Sequence, residues 1–172
     1  MKAETAARKI LDYLERNEKD LVDFLCEFIN KKSISRGTPG TGEELEAQLW
    51  LRDQFNQMSF SNVDYWFPDD EQERPNVVGK ISGKSDGKSL VLQGHVDVVP
   101  VPERELELWK SDPWRGDVRE KRVYGRGACD TKGGNSGMIW AAKAILDCEI
   151  ELKGDLLIES VIGEESQEGE TI

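Results

Sequence analysis

The chain has 172 residues, 37% hydrophobic and 33% charged, enough for one ordinary domain with a substantial core. Its 34 acidic residues against 23 basic ones leave a net charge of −11, which argues against unaided binding to nucleic acid or to an anionic membrane surface. No apolar run approaches the roughly 20 residues of a membrane-spanning helix, and the charged N-terminus lacks a signal's apolar block. Cys26, Cys129 and Cys148 are odd in number and show no CxxC pair, so a reducing cytosol is the expected compartment.

Residues 3–32 carry helical periodicity. Leu21, Leu25, Phe28 and Ile29 form one apolar face, Ile10, Leu11 and Leu14 an earlier one, and Asn17 marks a break between them. Gly37, Pro39, Gly40 and Gly42 punctuate a loop. A further amphipathic helix is expected from Glu43, with Leu45, Leu49 and Phe55 on one side. Thr41 would cap it, and Glu43 and Glu44 suit the positive end of the helix dipole. Residues 63–67 and 76–81 read as strands joined by an acidic loop over 68–75, and 83–87 as a turn.

Residues 89–100 are a short apolar run ending in a histidine and an aspartate two positions apart, and they read as a strand buried on both faces. Positions i and i+2 of a strand share a side, so His95 and Asp97 should leave the strand end together, opposite Val96 and Val98. A carboxylate beside an imidazole can fix its orientation. The bland alternative is a buried histidine satisfied by a neighbour. Next come a polar segment with Trp109, Pro113 and Trp114, the pair Val123-Tyr124, and a glycine-rich stretch over 125–134. Gly137, Ala141, Ala144 and Cys148 form a stripe of small residues that would let a helix lie close on a sheet. Residues 155–162 read as another strand, running into Gly163-Glu164-Glu165.

This order of elements implies an α/β layered domain, in which ligands gather beyond the carboxyl ends of strands. His95 and Asp97, Asp130, and Glu164 and Glu165 each follow a strand or strand-like piece. One imidazole among carboxylates suits a transition metal such as Zn²⁺, and a bridging carboxylate suits two. A pair about 3.5–4 Å apart can share and acidify a water, with a free carboxylate taking its proton. Adjacent glutamates can divide that labour; their bland alternative is a solvated acidic loop. Three rival motifs fall short. Residues 79–85 are one residue short of a phosphate loop and lead into a strand, Gly125 and Gly127 lack the third glycine of a dinucleotide fingerprint, and nothing marks Cys129 as a nucleophile activated by His95.

GHVDVVP at 94–100, YGRGACDTKGG at 124–134 and the strand ending in GEE at 163–165 resemble, in order, the three N-terminal motifs of the M20 metallopeptidases. That group includes acetylornithine deacetylases, succinyl-diaminopimelate desuccinylases, aminoacylases and carboxypeptidases. Trp109 and Pro113-Trp114 resemble the W…PF segment between the first two motifs. The resemblance implies a layered α/β/α sheet domain of the zinc-exopeptidase type, with residues 1–172 its N-terminal portion. It makes His95 a ligand of one metal, Asp97 the catalytic carboxylate that orients it, and Asp130 the bridge between two metals. Glu164 would be the general base and Glu165 a second ligand of the metal that His95 binds. Two Zn²⁺ per complete site are implied, with Co²⁺ as a substitute.

Two positions depart from the family pattern: Gly163 stands where aspartate is usual, and Thr131 where methionine is common. Family members also run well beyond this length. A further acidic ligand, a final histidine and an inserted lid domain that helps bind substrate and form homodimers follow these motifs. An incomplete sheet with an unpaired edge is therefore expected, together with poor metal binding by these residues alone. The implied function is hydrolysis of the amide of a small N-acyl amino acid, of the acetylornithine or succinyl-diaminopimelate type, in the cytoplasm. A dipeptidase or carboxypeptidase is the second reading, and a non-catalytic binding module the reading of another class. Neither nucleic acid nor membrane is an expected partner.

Overall fold

Asn17 does interrupt the N-terminal periodicity. In the computed structural model, which describes residues 2–36, 42–68 and 74–166, it separates α1 (Lys2–Arg16) from α2 (Glu18–Asn30). Then follow α3 (Leu45–Gln57), β1 (Asn62–Trp66), β2 (Asn76–Ile81) and β3 (Leu90–His95). A 3₁₀ turn (Glu103–Leu108) leads to a small hairpin of β4 (Asp117–Arg119) and β5 (Arg122–Tyr124), and the order closes with α4 (Gly133–Asp147) and β6 (Leu156–Val161). The turn residues Gly37, Pro39 and Gly40, the cap at Thr41 and positions 69–73 of the acidic loop lie outside the described residues.

The main sheet has the order β1-β2-β6-β3. β1 and β2 run antiparallel, as do β2 and β6, while β3 and β6 run parallel and are joined through α4. The sheet is therefore mixed, and the parallel pair needs the long crossover that α4 provides. Side chains alternate along it as a strand requires. Val77, Gly79 and Ile81 of β2, with Leu156, Ile158 and Ser160 of β6, are buried beneath the helices, while Val78, Lys80, Leu157 and Glu159 between them are half-buried. Phe24 and Phe28 of α2, Leu51 and Phe55 of α3, and Ile139 and Trp140 of α4 complete the core. Phe24 and Phe28 both pack on Trp50, with ring centroids 4.8 and 5.4 Å away. Gly79 lets α3 come this close: a Cβ there would stand 2.7 Å from the Phe55 ring.

Three expectations need correction. β3 is not buried on both faces. It pairs only with β6 among the described residues, so it forms an edge, with Leu90 and Val91 55% and 49% exposed. An apolar run carries no mark of how many neighbours a strand has. α3 begins at Leu45, with Glu44 at the capping position but making no side-chain cap. The small-residue stripe of α4 does not face the sheet either. Gly137 is exposed with nothing near it, and Cys148 Sγ lies 3.7 Å from the Lys9 carbonyl of α1. The α4 residues buried over the sheet side include Asn135, which reaches β3.

Candidate active site

β3 ends at His95, opposite Val161 of β6, and Val96 donates its N–H to the Val161 carbonyl at 2.8 Å. Beyond that point the chain pairs with the segment after α2. Val98 N–H donates to Ser33 O and Ser35 N–H to Val98 O, both at 2.9 Å, and Ser33 Oγ donates to Val96 O at 2.7 Å. Val96 and Val98 point into the core, and Asp97 is fully buried.

Ladder bonds run out at the strand ends, where buried backbone groups need other partners. Buried amide side chains supply them. Asn135 Nδ2 donates to His95 O at 2.7 Å, and Gln48 Nε2 to Ser160 O at 2.9 Å. Asn76 Oδ1 accepts the Ile162 N–H at 3.0 Å. These supports were missed from sequence. The available signal was a glutamine inside the apolar face of α3 and an asparagine facing the sheet from α4.

The His95 ring lies between two carboxylates and a carbonyl. Nδ1 is 2.9 Å from the backbone oxygen of Asp97 and 3.5 Å from its Oδ1. A nitrogen facing a carbonyl carries the proton, which turns the other nitrogen toward a ligand. Nε2 is 3.1 Å from Asp130 Oδ1 and 3.8 Å from Glu164 Oε2. The Asp97 carboxylate has a second occupation: it accepts the Glu165 N–H at 2.9 Å and faces the Glu164 N–H at 3.4 Å. Asp97 thus touches both the imidazole and the turn after β6. The five residues singled out from sequence come to the same end of the sheet, from three separate elements.

Asp130 sits in the turn between β5 and α4, 76% exposed, with φ −124° and ψ 95°. Gly127 opens this turn at φ +81°, where a side chain would be strained. Lys132 closes it. This residue is 1% exposed, and its Nζ donates to Phe28 O at 3.0 Å and to Lys31 O at 2.6 Å, 5.0 Å above the Phe28 ring. Burial pushes the ammonium down to about 7, while the carbonyls ending α2, at the negative end of its dipole, favour the charged form.

Burial also works against a charged His95, but hydrogen bonds and charge from Asp97, with Asp130, outweigh it and raise the imidazole to about 9. Burial, and then the negative charge of Asp130, push the Glu165 carboxyl up. Glu44 is held by buried Arg74 at 3.0 Å, although burial raises its carboxyl on balance. Cys129 is exposed and free, and His95 Nε2 faces Asp130 instead.

One imidazole nitrogen among carboxylates is the donor chemistry of a divalent transition metal. The residues fit such an ion in kind. Among the described residues, no three His, Cys, Asp or Glu side chains form a closed ligand set as they stand. None of the described helices is long and apolar enough to cross a membrane.

Residues 91–171 match peptidase family M20/M25/M40. An N-formyl-4-amino-5-aminomethyl-2-methylpyrimidine deformylase of Bacillus subtilis is 43% identical over 166 residues, covering 92% of this chain and 36% of the deformylase. A succinyl-diaminopimelate desuccinylase of Xylella fastidiosa is 30% identical over 152 residues, 86% of this chain and 36% of that protein. In three dimensions the chain is similar to an M20 family metallo-carboxypeptidase of Sulfolobus solfataricus, with TM-score 0.69 and 28% identity, over 85% of this chain and 31% of that one. The chain spans about a third of the length of these proteins.

Proposed function

Because the chain belongs to peptidase family M20/M25/M40, we propose that the protein is a metal-dependent amide hydrolase and that residues 1–172 form the N-terminal part of its catalytic domain. The observation that carries this reading is that Asp130 and Glu164, from two other elements, come within 3.1 and 3.8 Å of His95 Nε2.

His95 Nε2, Asp130 and Glu165 would hold the metal, with Asp130 bridging a pair of ions. Zn²⁺, or Co²⁺ in its place, would supply Lewis acidity toward the amide carbonyl and acidify water. Glu164, 56% exposed and only 3.8 Å from the imidazole, is the carboxylate free to take the proton and return it to the leaving amine. Asp97 keeps the His95 ring turned through its backbone oxygen and holds the Glu164-Glu165 turn through its carboxylate. Residues 1–172 alone would be inactive: they bring three donors, against about five for two ions sharing a bridge.

The substrate is the amide of a small N-acylated molecule. An N-formylated aminomethylpyrimidine is the first to assay, since the similar deformylase covers most of this chain. N-Succinyl and N-acetyl amino acids come second and dipeptides third. The three cysteines are free thiols, which suits a reducing cytoplasm. Dimerisation would rest on parts of the protein outside these residues. The test is hydrolysis of this panel by the protein in its full length, loaded with Zn²⁺ and then stripped by chelator. Metal-dependent release of one acyl group supports the reading, and a metal-loaded protein that cleaves none of them overturns it.

A further inference from the structure

His95 and Asp130 reach the same point from elements that share no ladder. His95 ends a strand of the main sheet, whereas Asp130 lies in a turn whose own bonds close locally, Ala128 N–H to Gly125 O at 3.2 Å and Lys132 N–H to Gly127 O at 2.8 Å. Those bonds hold the turn's shape; toward β3, Asn135 Nδ2 on His95 O at 2.7 Å ties the start of α4, and the turn ahead of that helix needs a tie of its own. We infer that Lys132 is the positioning residue that sets this distance, by pinning the Asp130 turn to the end of α2; the inference rests on the proposed reading of His95 and Asp130 as metal ligands.

The path is short and buried. Lys132 follows Asp130 by two residues and donates to Phe28 O and Lys31 O. Two residues past Lys31, Ser33 accepts the Val98 N–H and donates Oγ to Val96 O, next to His95. The segment 31–33 is therefore gripped on one side by the residue after His95 and on the other by the lysine after Asp130. Ser136 Oγ donates to the Lys132 carbonyl at 2.8 Å, so the first turn of α4 is fixed by the same residue. Packing alone does not require an amine here. A methionine has similar length and would fill the space, but it would leave the Lys31 carbonyl without this donor and the turn without a tie. Charge-assisted bonds are also the strong kind, suited to fixing a distance.

The experiment uses the full-length protein, with Lys132→Met, which keeps bulk and removes the donors, and Lys132→Arg, which keeps both donor and charge. The probe is Co²⁺, read by titration and by visible absorption. Urea midpoints and a separate kcat and KM are measured beside it. Lys132→Met should lose Co²⁺ affinity about 10–100-fold, as other supports of metal ligands do. Its absorption band should change and its kcat fall more than its KM rises. Lys132→Arg should recover most of the affinity. Tyr13→Phe, which cuts the 2.5 Å bond from α1 to Asp147 of α4, is the control for mere loss of stability and should leave Co²⁺ affinity unchanged. If Lys132→Met does not fold, Lys132→Gln, which keeps one donor, should show a smaller loss of the same sign. A folded Met or Gln variant with wild-type affinity and spectrum overturns the inference alone. A wild-type protein that takes up no Co²⁺ overturns the reading of the site, and the inference with it.

Discussion

Gly94→Ala tests whether the support beneath His95 is as tight as it looks. Gly94 is the penultimate residue of β3, and a Cβ there would stand 1.9 Å from Asn135 Oδ1, 3.0 Å from its Cγ and 3.3 Å from Met138 Cε. The Asn135 amide cannot stay. Rotating or withdrawing it breaks the 2.7 Å bond from Nδ2 to the His95 carbonyl. Overpacking of this kind costs about 1–3 kcal/mol. Leaving the buried carbonyl without its donor costs about 1–3 kcal/mol more. The sum, about 2–6 kcal/mol, is a large part of a typical domain's stability of about 5–15 kcal/mol. Gly137→Ala provides the opposite sign in the same protein. It is exposed within α4 with nothing in reach of a new Cβ, so it should gain about 0.5–1 kcal/mol from helix propensity. Urea unfolding of both variants measures the pair, with unchanged m-values as the condition for comparison. A Gly94→Ala loss under about 0.5 kcal/mol, within the range of inert surface changes, would refute the steric reasoning.

Glu164→Gln should keep metal affinity and lose turnover by about 10²–10⁴, the usual worth of a general base; near-normal kcat would remove Glu164 from that role. Asp97→Asn offers one oxygen and an NH₂ group where two backbone N–H groups now point, so one of them loses its acceptor. Zinc affinity by calorimetry should fall about 10–100-fold, and an unchanged affinity would count against the clamp. Asp147 should give stability an acid limb. Burial opposes its charge, but hydrogen bonds from Lys143 and Tyr13 outweigh this and hold its carboxyl below the ordinary value. A depressed acid stabilises above its unfolded value and loses that contribution as pH falls through the folded one. As pH falls below the ordinary carboxylate value of about 4, Asp147→Asn should therefore flatten the fall in stability, and an identical slope in both proteins would show that the α1–α4 cluster is idle.

The meeting of His95, Asp97, Asp130, Glu164 and Glu165 was legible because such residue types follow strands or strand-like pieces, and a strand end is readable from an apolar run that stops. β2 and the break at Asn17 were legible for the same local reason. What escaped depends on partners far along the chain. β3 reads as deeply buried whether it has one neighbour or two. Glu44 looked like a helix-dipole acid, but its partner is Arg74, thirty residues away, beyond an acidic loop. Lys132 and Asn135 belong to residue types usually exposed, and only the packed structure shows that their polar ends complete other elements' backbones. The carboxylate of Asp97 was expected on the imidazole two residues back. Its nearest described donor is Glu165 N–H, 68 residues on, in a loop that no strand periodicity connects to it.

The strand order has a consequence for how the molecule assembles. β2 and β3 are successive in the chain but are not neighbours, because β6 is wedged between them. The contacts that frame the site span 104 residues for Lys132 and Phe28, 112 for Gln48 and Ser160, and 86 for Asn76 and Ile162. Contacts of such separation form slowly, since closing their loops must precede any reward. Until residues 156–161 slide into the gap, β3 has no ladder, His95 has no fixed height, and the turn that carries Glu164 does not exist. The helices can gather first, but the meeting of His95, Asp130 and Glu164 waits for the insertion of a single strand.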